Sequence, residues 1–253
     1  MVSRYAELLI QMEQLKAHPI ASVPIERVQR QASKGRMTVW QRLEVLTGND
    51  FDLHWRNFGK ELDGAGIVTA IGNVNGRQVG IYGHDFTQRA GAMDEQNGDK
   101  LAAFLEYIGK LGLPLIGMND SAGALIQAGV ASLQGYAKAF RALRQLSGRV
   151  PSIMLMFGYN AGGGAYLPRQ GSFVIQPAQT FVGLTGPAVV QTVLGEAIEA
   201  DALGGPGVHL QSGVADYTAI DERAALEQAK ALLHFLPNNS SQAPPPISCS
   251  DDP

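Results

Sequence analysis

The stretch Leu115-Ile116-Gly117-Met118-Asn119-Asp120-Ser121-Ala122-Gly123-Ala124 decides the fold, together with Ile153-Met154-Leu155-Met156-Phe157-Gly158-Tyr159-Asn160-Ala161-Gly162-Gly163-Gly164-Ala165-Tyr166. Each apolar run leads into a glycine-rich turn and then into a segment of helical character. The first turn of a helix leaves its backbone N–H groups unpaired, so this unit directs donors at an anion. Two such turns side by side direct two N–H groups at one oxygen, which is the arrangement of an oxyanion hole. For either turn alone, glycines that only serve tight turns and close packing are the favoured interpretation.

The pattern around these turns predicts an α/β fold. A hairpin is expected where Ile67–Ile71 and Gln78–Tyr82 flank Asn75-Gly76, because that dipeptide favours a two-residue β-turn. After the hairpin, strands and helices alternate, which favours a largely parallel sheet. The predicted segments are helix 98–111, strand 114–118, helix 127–147, strand 152–157, helix 164–170, strands 173–175 and 180–183, a short strand 213–217 and helix 222–235.

Composition restricts the class of protein. The chain has 253 residues, a net charge of −3 and one cysteine, Cys249, in its tail. The weak acidity and the lack of a dense basic run argue against nucleic acid as a partner. A lone cysteine cannot form an intrachain disulfide or a thiolate metal site, and no other metal-ligand motif is present. With no signal pattern and no apolar run of about 20 residues, we expect a cytoplasmic protein without a membrane span.

Ordered matches along the chain identify a family. The chain resembles the N-terminal half of the carboxyltransferase β-subunits of biotin-dependent acyl-CoA carboxylases and decarboxylases, such as propionyl-CoA carboxylase, and the split carboxyltransferase subunits of malonate decarboxylase, which carry the two halves as separate chains. The resemblance runs from about Arg42 through Pro253. The matching stretches are Asp85-Phe86-Thr87, Asn119-Asp120-Ser121, Ile126-Gln127, Ala161-Gly162-Gly163, Tyr166, Thr185-Gly186-Pro187, Leu203-Gly204-Gly205, Val208-His209, Gly213-Val214-Ala215 and Leu236-Pro237-Asn238-Asn239.

The resemblance implies a fold and a set of site residues. The fold would be the crotonase-type ββα superhelix, as a single domain with an N-terminal helical extension. In that superfamily one N–H from each turn holds the thioester carbonyl oxygen; by position these would be the amides of Ala122 and Gly163, with Gly162 beside them. The substrate-binding residues would be Ser121, Gly123, Ala124, Ala161, Gly164 and Tyr166. The expected domains are a helical extension at 1–60, a crotonase-like domain at 61–236 and a Pro-rich linker at 237–253.

The implied reaction moves a carboxyl group between a malonyl-type thioester and biotin. A carboxyl beside a thioester can leave only if its electrons pass to the thioester oxygen, and two fixed N–H donors stabilise the resulting enolate. The thioester would be carried by coenzyme A or by the phosphopantetheine of an acyl carrier protein. Two alternatives remain open: a biotin-independent decarboxylase subunit that protonates the enolate, and a non-catalytic subunit for thioester binding or assembly.

The family pattern also predicts partners. A full β-subunit continues into a second crotonase-type half that binds biotin. We therefore expect a separate C-terminal-half subunit, a biotin carrier protein that bears the biotin, and an oligomer; no cofactor is expected to be bound covalently to this chain. Leu125 and Ala128 stand where the family usually has arginine and glutamate. The loss of both charges together predicts an apolar surface at that point.

Overall fold

The computed structural model describes residues 4–21, 25–55 and 66–246. The strands are β1 Phe51–Leu53, β2 Ile67–Val74, β3 Arg77–His84, β4 Leu115–Asn119, β5 Ser152–Met156, β6 Tyr159–Ala161, β7 Phe173–Pro177, β8 Phe181–Gly183 and β9 Tyr217–Ala219. The helices are α1 Arg4–Ala21, α2 Ile25–Ala32, α3 Val39–Thr47, α4 Glu95–Leu111, α5 Val130–Leu146, α6 Gly163–Arg169, α7 Pro187–Leu194, α8 Ala200–Gly204, α9 Pro206–Ser212 and α10 Glu222–Phe235. None of the helices in these ranges is both long and apolar enough to cross a membrane.

A seven-stranded sheet in the order β1-β2-β3-β4-β5-β7-β9 forms the centre of the molecule. The predicted hairpin is present, because β2 pairs antiparallel with β3 in the register Val74↔Arg77. From β3 onward the pairs of this sheet are parallel. A second sheet pairs β6 parallel with β8. The largely parallel α/β sheet predicted from the sequence is therefore confirmed.

Hydrophobic cores cover both faces of the large sheet. Consecutive side chains of β5 alternate between the cores: Met154 packs with the core of α4 and α5, whereas Ile153 and Leu155 pack with the core of α3 and α10. Alternation of this kind follows from the twofold period of a strand. A strand buried on both faces therefore reads as a continuous apolar run, which is why β4 and β5 were visible in the sequence.

Several element boundaries differ from the predictions for local reasons. Helix α4 begins three residues before the predicted Gly98, because Asp94 caps it and accepts a hydrogen bond from the Asn97 N–H at 2.8 Å. The chain at 126–128 forms a single 3-10 turn, and α5 follows Gly129, whose φ is +56°. The strand predicted at 213–217 lies at Tyr217–Ala219 instead, because Gly213 ends α9 in the left-handed conformation.

The predicted helical extension and the Pro-rich linker are more closely joined to the domain than the sequence indicated. The predicted helical extension includes β1, which pairs antiparallel with β2. At the other end, the Asn239 side chain donates to Gly112 O at 2.9 Å and the Ser240 N–H donates to Arg149 O at 2.8 Å. The first residues of the predicted Pro-rich linker are therefore bound to the domain.

Candidate active site

The two glycine-rich turns lie against each other at the carboxyl ends of β4 and β5. The Ser121 N–H donates to the Asn160 side-chain oxygen at 3.2 Å, and the Ala161 N–H donates to Ser121 O at 3.3 Å. A Cβ on Gly123 would lie 2.8 Å from Ala161 O, so this turn accepts only glycine at that close approach. The structure thus brings together the two turns that the sequence singled out.

A buried asparagine joins the turns. Asn160 is fully buried, and its side-chain NH2 donates to Phe157 O at 2.9 Å and to Asn119 O at 3.4 Å. Its oxygen accepts the Ser121 N–H described above. One amide side chain therefore satisfies backbone groups at the end of each strand, which fixes the spacing of the two turns.

At the first turn, the predicted donor is occupied within the protein. The N–H of Ala122 donates to Ala90 O at 3.1 Å, so it is occupied within the protein and cannot serve as an open donor in this structure. The N–H of Gly123 is also occupied, by the Ser121 hydroxyl oxygen at 3.2 Å. Ala122 is therefore not an open donor in this conformation, and its assignment as the first oxyanion donor stays a prediction.

At the first turn, the open N–H group in this structure is that of Ala124 and not that of Ala122. Gly123 O accepts the Met93 N–H at 2.9 Å, and the Leu125 N–H donates to Met93 O at 2.8 Å. Because the groups on either side of Ala124 face Met93, the N–H of Ala124 faces away from it, as the alternation of an extended backbone requires. Within the described chain this N–H has no hydrogen-bond partner, and Ala124 is half-buried at the surface.

The second turn keeps Gly163 as a donor. Gly163 is the first residue of α6, where backbone N–H groups have no partner within the helix. The Gly162 N–H donates to Gly183 O at 3.0 Å, so Gly162 shapes the turn and is not an open donor. A Cβ on Gly164 would lie 2.8 Å from Ser121 O, so the start of α6 packs directly on the first turn. Ala124 and Gly163 are therefore the candidate oxyanion donors.

The remaining predicted substrate-binding residues occupy different environments. Ser121 is fully buried, and its hydroxyl contacts Tyr136 and Gly123 within the protein. Ala161 is half-buried at the open face. Tyr166 is 58% exposed on α6, and its ring packs edge-on against Phe140 with centroids 4.6 Å apart. Contact between Tyr166 and substrate stays a prediction.

An ionic cluster that the sequence analysis missed lies behind the first turn. Arg42 is 1% exposed and pairs with Asp120 at 3.0 Å and with Glu222 at 2.7 Å. Arg36 adds a second guanidinium, 2.6 Å from the Asp120 carboxylate. Burial raises the pKa of Asp120, while the positive charges of Arg42 and Arg36 oppose that rise. Asp120 is thus a buried anchor that ties the first turn to α3 and α10.

The surface beside the donors is apolar. Leu125 and Ala128 are half-buried, and Ile126 and Val130 are 87% and 80% exposed. Across the second turn, Leu184 is 81% exposed. The apolar character predicted from the loss of the arginine and the glutamate is therefore present at this surface.

A cavity opens at the start of the second turn. Its volume is about 530 Å³, and Lys34, Arg36, Tyr159, Thr180 and Asp201 are among its lining residues. The lining includes charges of both signs, and neither Ala124 nor Gly163 contributes to it. The candidate donors therefore lie outside this cavity, and both residues are half-buried.

Gly163→Ala is expected to destabilise the domain. An added Cβ would lie 2.6 Å from the Tyr136 ring, and overpacking of this kind costs about 1–3 kcal/mol. Gly207→Ala is the matched control: nothing lies within 4 Å of that Cβ, so the helical preference of alanine should raise stability slightly. Urea unfolding measures both variants. A Gly163→Ala variant as stable as the parent would show that the Tyr136 ring can move away.

The comparison with known proteins settles the family. The sequence model of the carboxyl transferase domain matches residues 30–253. The chain belongs to the carboxyl transferase domain family. It is 39% identical over 241 residues to the carboxyltransferase subunit of propionyl-CoA carboxylase from Haloferax mediterranei, and 36% identical over 241 residues to the α-subunit of methylmalonyl-CoA decarboxylase from Propionigenium modestum. Each alignment covers 90% of this chain and 47% of the relative.

Solved structures give the same result for the fold. The transcarboxylase 12S hexamer crystallised with hydrolysed methylmalonyl-coenzyme A matches at a TM-score of 0.87 and 34% identity, over 100% of this chain and 51% of that one. The predicted crotonase-like carboxyltransferase fold is thereby confirmed. A Pseudomonas malonate decarboxylase hetero-dimer matches at a TM-score of 0.65 and 22% identity, over 78% of this chain and 85% of that one. The chain thus spans about half the length of its carboxylase relatives.

Proposed function

We propose that this domain is the acyl-thioester half of a biotin-dependent carboxyltransferase that acts on a methylmalonyl-type coenzyme A thioester. The observation that carries the proposal is the pair of open N–H donors, Ala124 and Gly163, held at adjoining turns in a carboxyl transferase domain. The names of the relatives, propionyl-CoA carboxylase and methylmalonyl-CoA decarboxylase, support coenzyme A as the carrier of the acyl group.

The proposed chemistry uses the donors at one oxygen. When the carboxyl group leaves as CO2, the C–C bond electrons move to the thioester carbonyl, and negative charge develops on its oxygen. The CO2 bonds to a ureido nitrogen of biotin, and the proton that this nitrogen loses balances the one that the enolate gains at its α-carbon. Ala124 and Gly163 would donate to that oxygen, and their stabilisation would be greatest when the charge is greatest. The reverse step, in which the α-carbon of the enolate attacks carboxybiotin, passes through the same oxyanion. The same two donors therefore serve both directions.

A second carboxyltransferase half is proposed to cover the donors and to supply the biotin site. Three observations support it: this chain aligns with about half of each relative, the donors are only half-buried, and the exposed surface beside them is apolar. A large exposed apolar surface commonly marks a protein interface. Malonate decarboxylase provides a precedent for this fold in a chain of similar length within a hetero-dimer.

Reconstitution tests this function. The chain alone should bind propionyl-coenzyme A but should transfer no carboxyl group to a biotinylated carrier protein. Co-purification with mass spectrometry should identify a second crotonase-like chain and a biotin carrier, and transfer should appear when both are added. Complete transfer by the isolated chain would contradict the need for a second half. No binding of propionyl-coenzyme A, alone or in the complex, would contradict the thioester site itself.

A further inference from the structure

One buried side chain contacts both turns of the candidate site. Tyr136 lies on α5 and is 3% exposed. Its ring packs on Gly163, where an added Cβ would be 2.6 Å from ring atom Cε2 and 2.7 Å from Cζ. Its hydroxyl is 3.3 Å from the Ser121 hydroxyl of the first turn. Tyr136 therefore contacts Gly163, the candidate donor of the second turn, and Ser121 of the first turn.

The contact at Ser121 extends to the other donor. The Ser121 hydroxyl oxygen accepts the N–H of Gly123 at 3.2 Å, and Gly123 immediately precedes Ala124. Burial raises the pKa of Tyr136 to about 12, so its hydroxyl keeps its proton at neutral pH and can donate to Ser121. A hydroxyl oxygen that accepts two hydrogen bonds, here from the Gly123 N–H and from the Tyr136 hydroxyl, is held in a single orientation. The Tyr136 hydroxyl thereby orients the peptide that leads into Ala124.

The helix that carries Tyr136 is itself fixed by close backbone contacts. A Cβ on Gly135 would lie 2.3 Å from Asp94 O, and a Cβ on Gly98 would lie 2.2 Å from Gly135 Cα. Helices α4 and α5 therefore touch through their backbones at the residue before Tyr136. Phe140, one turn further along α5, packs against the Tyr136 ring with centroids 5.4 Å apart. These contacts leave the tyrosine little freedom to follow a displaced turn.

We infer that Tyr136 is a positioning residue that sets the placement of the two N–H donors relative to each other. This inference rests on the proposed function. The ring limits how closely the start of α6 approaches α5, and the hydroxyl, through Ser121, fixes the first turn. Because hydrogen-bond strength depends steeply on distance and angle, a small shift of either turn weakens the hydrogen bonds from the two donors to a shared oxygen.

Tyr136→Phe tests the inference, because it removes the hydroxyl and keeps the ring. The probes are propionyl-coenzyme A and its thioether analogue, in which a methylene group replaces the carbonyl, each titrated against the full chain. The parent should prefer the thioester. Tyr136→Phe should lose about two- to tenfold of that preference, the range of one ordinary hydrogen bond, while its affinity for the thioether stays unchanged. A general loss of structure would instead lower the affinity for both ligands together.

Two further variants separate positioning from stability. Ser121→Ala should reduce the thioester preference as Tyr136→Phe does, and the double variant should lose no more than either single one, because both act through one link. Tyr82→Phe is the matched control: Tyr82 is fully buried, and its hydroxyl donates to the Asn119 side chain at 2.9 Å and makes no hydrogen bond to Ser121 or Gly163 within the described chain. It should lose stability and keep the thioester preference.

The outcomes distinguish this inference from the proposed function. A parent chain with no preference for the thioester contradicts the oxyanion site itself. If the parent prefers the thioester and folded Tyr136→Phe and Ser121→Ala both keep that preference, the positioning role is overturned and the oxyanion site stands. Thermal unfolding of every variant shows which proteins are folded, and Ser121→Ala decides the matter where Tyr136→Phe does not fold.

Discussion

Replacement of the Ala124 backbone amide by an ester is expected to lower carboxyl transfer about 10²–10³-fold in the assembled enzyme. Incorporation of lactic acid at position 124 exchanges the N–H for an oxygen and leaves the methyl side chain in place. Since the Ala124 N–H has no hydrogen-bond partner within the described chain, its removal breaks no contact of the folded domain. The loss should therefore appear mainly in turnover. The ester also makes Gly123 O a weaker acceptor for the Met93 N–H, so thermal stability should fall slightly.

The same ester at Ala122 is the matched control. The Ala122 N–H donates to Ala90 O at 3.1 Å, so the substitution removes one ordinary backbone hydrogen bond and weakens Ser121 O as the acceptor of the Ala161 N–H. It should cost about 0.5–1.5 kcal/mol of stability and leave turnover nearly unchanged. The opposite ranking, with the greater loss of turnover at Ala122, would mean that the first turn rearranges when substrate binds and would contradict the assignment to Ala124.

Arg42→Met is expected to lower the free energy of unfolding by about 3–5 kcal/mol, because it removes the closest partner of the Glu222 carboxylate and leaves the buried Asp120 carboxylate with Arg36 alone. Arg42 is 1% exposed and pairs with both Asp120 and Glu222. Methionine keeps most of the side-chain length, so the lost charge outweighs the lost packing. Guanidinium chloride unfolding of the purified chain measures the change.

An exposed ion pair provides the control for Arg42. Lys230 lies 3.1 Å from Glu227 on the surface of α10, and Lys230→Met should change stability by less than about 1 kcal/mol. Addition of Glu222→Gln to Arg42→Met should recover part of the loss, since one orphaned charge is removed. If Arg42→Met costs no more than Lys230→Met, the cluster does not hold the first turn and its stated role is wrong.

Local sequence patterns predicted the central part of the fold because their signals are short in range. The apolar runs at β4 and β5 are buried on both faces, and the Asn75-Gly76 turn specifies its hairpin without any distant contact. Gly123 and Gly164 mark close approaches between backbones, so the two turns were also visible in the sequence. Each of these signals lies within a short stretch of sequence, even where the contact that it marks is made with a distant residue.

The donor at the first turn could not be read from the sequence, because it depends on a partner distant in the chain. Ala122 and Ala124 are the same residue type on either side of Gly123. The difference between them arises from Ala90, which occupies one N–H, and from Met93, which turns the other away. The ionic cluster was hidden for the same reason: Arg42 and Glu222 are 180 residues apart in sequence.

The infrared spectrum of bound propionyl-coenzyme A, labelled with ¹³C at its carbonyl, tests the central claim most directly. Hydrogen bonds from Ala124 and Gly163 to the carbonyl oxygen would polarise the C=O bond, so its stretching band should move to lower wavenumber than in water. The Ala124 ester should reverse part of that shift, and the Ala122 ester should not. A band of the bound thioester at or above its position in water would contradict the oxyanion site.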